Sequence, residues 1–165
     1  MGRMPILTLA QVKQGLEVYA KAAQILVEEC PGQAAARAYY QIHFVAQQVA
    51  LLLGPPFESV RNGKAIGRLN HVDVPQVVSK VCERQIAGGQ SLPTPLTADN
   101  AYAYADGLVK ARMEADYRPY QAFSKERART LLIYAGAIKA LLLQEVEFAR
   151  IQTKASQGTP KGATP

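Results

Sequence analysis

No run of apolar residues in this 165-residue chain reaches the length that crosses a bilayer. Its opening, Met1-Gly2-Arg3-Met4-Pro5, also lacks the long apolar stretch of a signal peptide. A cytoplasmic protein with no membrane partner is therefore expected. Cysteine is scarce: Cys30 and Cys82 stand far apart with no second thiol beside either, which excludes a CxxC redox pair and a zinc cluster. Both are expected to be buried apolar thiols. Glycine-rich phosphate loops, nucleophile elbows and clusters with metal-ligand spacing are missing as well, so neither a metal nor a cofactor is expected. Convincing strand alternation and internal repeats are also absent.

What is present is the composition of a folded domain, 48% apolar and 19% charged, in a chain long enough to bury a core without disulfides or metal. Nineteen Lys and Arg against 13 Asp and Glu leave a net charge of +6. The pI near 9.4 tilts the choice of partner toward something anionic.

The apolar residues recur at helical spacing. Between Thr8 and Cys30 they fall at Val12, Leu16, Tyr19, Ala23, Leu26, Val27 and Cys30, with Thr8 and Gln11 forming a capping box at the start. Pro31-Gly32 is expected to stop this helix. A second helix is predicted from Gln33 to Leu53 on Ile42, Val45, Val49 and Leu52, ending at Gly54-Pro55-Pro56 and packing on the first as an antiparallel hairpin. Phe57 to Asn70, with Asn62-Gly63 and Gly67, reads as a loop carrying Arg61, Lys64 and Arg68. A third helix is predicted over Val74 to Ile86. A fourth is capped by Asp99 or Thr97, buries Tyr102, Ala105, Val109 and Met113, and runs to Tyr117 before Pro119. Ser124 caps the last, in which Leu131, Ala135, Ile138, Leu142 and Val146 repeat to about Ile151. The expected fold is all-α, an antiparallel bundle of four to five helices over residues 8–151, with a short extension at 1–7 and a disordered tail at 152–165.

The segment with most chemical content is Arg112-Met113-Glu114-Ala115-Asp116-Tyr117. A guanidinium keeps its charge and offers a fork of donors shaped to phosphate oxygens. Arg112 and Asp116 also stand four apart on one helical face, the spacing of a simple surface ion pair. Residues five apart on a regular helix differ by roughly 140°, so Arg112 and Tyr117 are expected to share a site only if the helix unwinds or two subunits meet. From Lys110 to Arg129 six basic residues stand against Glu114, Asp116 and Glu126, either an RNA-backbone track or a solvated face. Tyr39 and Tyr40 suit core or interface packing better than base stacking. His71, at a loop-to-helix junction, either bonds backbone or acts in catalysis.

Three segments, in this order, resemble a HEPN domain, the helical family named for its occurrence in higher eukaryotes and prokaryotes. Ala36-Arg37-Ala38-Tyr39-Tyr40-Gln41-Ile42-His43-Phe44 is similar to the family's Ser-Arg-x-Tyr-Tyr-Ala-x-Phe-His helix. His71-Val72-Asp73-Val74 is similar to a His-centred helix start between the family's two hairpins, and Ala111 to Tyr117 resembles its Leu-Arg-x-x-Ala-Asp-Tyr. The resemblance extends from about residue 8 to residue 150. It departs at His43-Phe44, where the two types are exchanged and His43 points to a different helix face from the family's histidine.

The resemblance implies a homodimer in which the arginine motifs of both subunits meet in one cleft, and a toxin–antitoxin or host-defence role. RNA is the implied partner, bound and cleaved without metal by attack of the ribose 2′-hydroxyl on the adjacent phosphate. The implied catalytic residues are Arg112, Asp116 and Tyr117, and the implied RNA-binding residues are Arg37, Lys110, Arg118 and Tyr120. Arg37 either approaches Asp116 or Tyr117 across the bundle or stays exposed. The family's ribonucleases carry a histidine where this chain has Tyr117, and a phenol titrating near about 10 is a poor general base beside an imidazole near about 6.5. The alternative implied is a non-catalytic module that pairs with an MNT-type nucleotidyltransferase able to place AMP on a tyrosine, Tyr117 or Tyr120 here.

Overall fold

Thr8 opens the first helix as its spacing predicts. Its hydroxyl accepts from Gln11 N at 3.3 Å, and Gln11 Oε1 accepts from Thr8 N at 2.8 Å, so two otherwise orphaned N–H groups are satisfied. The computed structural model describes residues 5–61, 64–66, 68–118 and 122–157, and among these five α-helices form an all-α bundle. The first, α1, is Leu9–Leu26 and buries Val12, Leu16 and Ala23. It ends before Cys30, which is exposed, so only Cys82 fits the expectation of a buried thiol.

Pro31 begins the next helix instead of ending the last one. The second helix, α2, is Pro31–Leu53, with proline at its first position, where the ring's fixed φ suits the helix and the missing N–H would have had no partner. Gly54, at φ 66°, closes it in the left-handed region and bonds its N–H to Ala50 O at 2.9 Å. This helix packs against each of the other four and is buried on almost every side, from Ala34 through Leu51.

The segment after it departs from the expected loop. Two-residue strands, β1 at Val60–Arg61 and β2 at Lys64–Ala65, pair antiparallel with Val60 opposite Ala65. Asn62-Gly63, a dipeptide that suits a tight hairpin, lies outside the described residues, as does Gly67. The segment is strapped down at its end: buried Gln47 accepts Leu69 N at 2.6 Å, and Ser59 Oγ accepts Asn70 N at 2.7 Å while donating to the Asp73 carboxylate. That anchoring holds a 3₁₀ turn, His71–Asp73, directly before α3, Val74–Ala87.

The fourth helix, α4, is Ala101–Tyr117, and its caps and face both differ from expectation. Thr97 and Asn100 exchange bonds in the turn before it, Thr97 N to Asn100 Oδ1 at 2.8 Å and Asn100 N to Thr97 Oγ1 at 3.3 Å. Its buried residues are Ala101, Ala105, Leu108, Val109, Ala111 and Ala115, whereas Tyr102 and Met113 are 47% and 49% exposed. The buried face is thus turned by roughly a quarter turn from the predicted stripe. Small residues explain the shift, because α2 buries Ala34, Ala35, Ala36 and Ala38 and alanines on both helices let the backbones approach.

Ser124 caps the fifth helix by accepting Arg127 N at 3.1 Å. This helix, α5, is Lys125–Gln157, and all five predicted stripe residues, Leu131, Ala135, Ile138, Leu142 and Val146, are buried. It runs past the predicted end at Ile151, shortening the expected tail, and residues 158–165 lie outside the described residues. None of the helices among the described residues is long and apolar enough to cross a membrane.

Two isoleucines on α5 provide a paired check. Ile138→Ala, at a fully buried position, is expected to lower unfolding free energy by about 2–5 kcal/mol. Ile133→Ala, at a position 61% exposed, is expected to change it by less than about 0.5 kcal/mol in the same urea titration.

Candidate functional site

Tyr39 and His43 are four apart on α2 and share a face, while Tyr40 points about 100° away from Tyr39 toward α4. The packing of α4 then sets Arg112 and Asp116, again four apart, beside Tyr40. Arg112 Nε donates to Tyr40 Oη at 3.1 Å and lies 2.8 Å from Asp116 Oδ2, and the Tyr40 hydroxyl donates to that same carboxylate oxygen at 3.1 Å. The expected i, i+4 ion pair is therefore real, and it also ties α4 to α2. The guanidinium lies against two rings, with Cζ 5.6 Å from the Tyr40 centroid and 5.4 Å from the Tyr117 centroid. Burial works against its charge, but the Tyr40 bond and the neighbouring Asp116 hold the Arg112 pKa above its ordinary value.

Arg112 meets Tyr117 without either condition set by helical geometry. The helix continues through Tyr117, and the length of the arginine side chain bridges the angle within one subunit. Tyr117 is 67% exposed, so its ring faces solvent on one side and the cation on the other.

The 3₁₀ turn carries His71 into the same neighbourhood. Its Nδ1 lies 2.6 Å from the hydroxyl of fully buried Tyr39, so His71 is bonded to a phenol rather than to backbone. The ring stacks on His43 with centroids 4.3 Å apart and planes 25° apart, and meets the Tyr40 ring nearly edge-on at 6.3 Å. Burial lowers the His71 pKa, Arg112 lowers it further, and Asp116 acts in the opposite sense. His43 is pushed down to about 4 by burial and by His71, against the 3.2 Å bond between its Nε2 and Leu69 O. Burial also raises the Tyr39 pKa, which keeps its hydroxyl protonated.

The expected RNA-binding residues do not gather with equal clarity. Arg37 is exposed and lies with Cζ 6.0 Å from the Tyr40 ring, placing it at the edge of the network rather than against Asp116 or Tyr117. Lys110 pairs with Asp106 at 2.7 Å on the surface. Arg118 ends α4 and lines a cavity of about 590 Å³ together with Cys30, Gln33, Glu114, Phe123 and Arg127. That cavity takes no residue from the tyrosine–histidine–arginine network. Tyr120 lies outside the described residues. The basic stretch is largely neutralised within the fold: Arg127 forks onto Glu114, and Lys125 and Arg129 converge on Glu28.

His43 was set apart by the reversed His-Phe order, yet the structure places it inside the cluster. The signal available in the sequence was its spacing of four from Tyr39. Among the described residues no group of three or more His, Cys, Asp and Glu side chains is placed to hold a metal ion. No family model, curated protein or solved structure matches this chain. Chemically, the network offers one permanent cation, three phenols and two imidazoles that burial holds toward the neutral form.

Two half-buried histidines, both held toward the neutral form, make stability pH-dependent in a definite direction. Unfolded histidine titrates near about 6.5, and folded His43 near about 4, so between those values the unfolded chain binds the extra proton. The His43 contribution is complete above the upper value and is lost as pH falls toward the lower one. In urea titrations, the drop in stability from pH 7.5 to pH 4.5 is expected to be about 1–3 kcal/mol larger for the wild type than for His43→Asn.

Proposed function

We propose that this chain is a HEPN-type protein of toxin–antitoxin or host-defence kind that binds RNA at Arg112 and its aromatic surroundings. The observation that carries the reading is convergence. The three segments of the resemblance, separated by tens of residues, meet through the Arg112–Tyr40–Asp116 bonds and the His71–Tyr39 bond. An RNA phosphate would take the outer nitrogens of the guanidinium, exchanging for part of the Asp116 contact, while the exposed Tyr117 ring gives a base a surface to stack on. Arg37 lies close enough to extend the cationic edge. Homodimerisation belongs to the same proposal. Tyr102, Met113 and Tyr117 share one exposed face of α4 that a second copy would cover.

A second reading is favoured by the exposure of Tyr117 at the end of α4. A non-catalytic module paired with a nucleotidyltransferase needs a reachable tyrosine hydroxyl beside its arginine motif, and Tyr117 satisfies both conditions. Co-purification with such a partner, with AMP found on Tyr117 and no RNA retained, would move the assignment to this reading.

The RNA-binding reading is tested by fluorescence anisotropy with a labelled single-stranded RNA. Arg112→Ala is expected to weaken binding by about ten-fold or more and to flatten its dependence on salt. Asp116→Asn, which releases the guanidinium from its internal anion, is expected to tighten it. Equal affinities for all three proteins would remove the proposal.

A further inference from the structure

We propose that residues 69–73 form a latch on α2 that is closed at neutral pH and opens in mild acid, with the stacked His43 and His71 rings as its sensor. The device is independent of what the Arg112 network binds. Tyr39, His43 and Gln47 stand four apart on α2, so they lie in one row along its surface. All three grip the same short stretch. Gln47 Oε1 accepts Leu69 N at 2.6 Å, His43 Nε2 donates to Leu69 O at 3.2 Å, and the Tyr39 hydroxyl lies 2.6 Å from His71 Nδ1. Two of these grips therefore involve an imidazole, one on each side of the contact.

A carbonyl can only accept, so neutral His43 carries its hydrogen on Nε2 and a further proton has to enter at Nδ1. That proton would place a charge on a ring whose centroid is 4.3 Å from the His71 centroid. Besides burial, His43 feels His71, Arg112 on α4 and the Leu69 carbonyl. His71 faces Tyr39, Tyr40 and His43 on α2 and Arg112 and Asp116 on α4. Asp116 is the carboxylate that favours a charged His71, and it is already engaged by Arg112 and Tyr40. On the latch itself, Asp73 bonds Ser59 and Asn70. Arg68, next to Leu69 in the chain, brings a further positive charge. The closed latch thus opposes protonation of the pair.

Opening separates the rings and lets water reach both. His43, held down to about 4 in the closed form by burial and by His71, then returns toward the ordinary value near about 6.5. The open form binds more protons, so each fall in pH between those values favours it. His71, lowered by burial and by Arg112, acts in the same direction. Opening also relieves a defect, because Gln47 Nε2 is buried without a partner in the closed form and regains water. What opposes release is Leu69, which is buried against the core. The backbone bonds of α2 lie within the helix and survive release of a stretch held by side chains. Release carries His71 away from Tyr40, and with it goes the link between the histidine pair and the Arg112 network.

The test is amide hydrogen exchange on the full chain, followed residue by residue by NMR at pH 7.5 and pH 5.0 and corrected at each pH for intrinsic chemical exchange. The Leu69 amide, which donates to Gln47, reports the latch, and the Ile138 amide, at the buried centre of α5, reports the whole bundle. Leu69 is expected to be less protected than Ile138 at both pH values and to lose at least about ten-fold of its protection at pH 5.0. His43→Asn and His71→Gln are each expected to reduce that loss, and the double variant to bring it below about two-fold. Equal protection of the two amides at both pH values overturns the proposal, because residues 69–73 then open only with the bundle. Leu69 protection that does not change with pH in the wild type, or a loss that persists in the double variant, overturns it as well. Where a variant does not fold, titration of the wild-type histidine ring protons decides: His43 is expected near about 4, and a value near about 6.5 in the folded chain counts against the latch.

Discussion

A helix buried on nearly every side loses water for the polar groups it carries, and α2, in which only Gln47 Nε2 is left without a partner among the described buried side-chain polar atoms, places the resulting demand on the whole molecule. An unpaired amide or hydroxyl in such a position costs about 1–3 kcal/mol, so polar side chains along α2 bond to groups outside the helix. Gln48 accepts Leu7 N, Gln47 accepts Leu69 N, His43 bonds Leu69 O, Tyr39 bonds His71 and Tyr40 bonds Arg112 and Asp116. The N-terminal extension, the segment after the small hairpin, the 3₁₀ turn and α4 are thus each tied to the central helix by one of its polar residues. The bundle's periphery is ordered by what its centre lacks.

The candidate site follows from the same demand. Alanines let α2 and α4 approach closely, and at the edge of that contact the chain needs groups that bridge the two helices without filling the space between them. Tyr40, Arg112 and Asp116 do this with one shared carboxylate oxygen and one shared hydroxyl. The arrangement stabilises the bundle and, in the proposed function, keeps a cation oriented at the surface for phosphate. Those two uses compete, because the carboxylate that steadies Arg112 is also the anion an incoming phosphate must displace.

The His71–His43 stack shows how burial holds a pair of imidazoles in the neutral form. Two adjacent imidazoles cannot both carry charge in a half-dry site beside a guanidinium, so the deeper ring is held neutral and the outer one is biased the same way. Tyr39, itself kept protonated by burial, locks the outer ring's position without charging it.

Local pattern alone is enough to establish that the chain is helical, where α1 and α5 begin, and which face of α5 is buried. These depend on local rules: Thr8 with Gln11 closes its own cap, Ser124 caps across three residues, and a regular apolar repeat on a long helix leaves one face to bury. The exposed Cys30, Pro31 as a beginning, the short β-ladder, the turned face of α4 and the union of His43 with His71 were decided only in three dimensions. Each depends on what lies opposite. A large apolar residue such as Met113 is expected inward by its own hydrophobicity, but the facing helix is lined with alanines, and close backbone approach outweighed side-chain size. Residues 28 apart cannot announce a ring stack through helical spacing. The Arg112 motif lies between the two cases, with its ion pair written in a spacing of four and its contact with Tyr40 supplied by the fold.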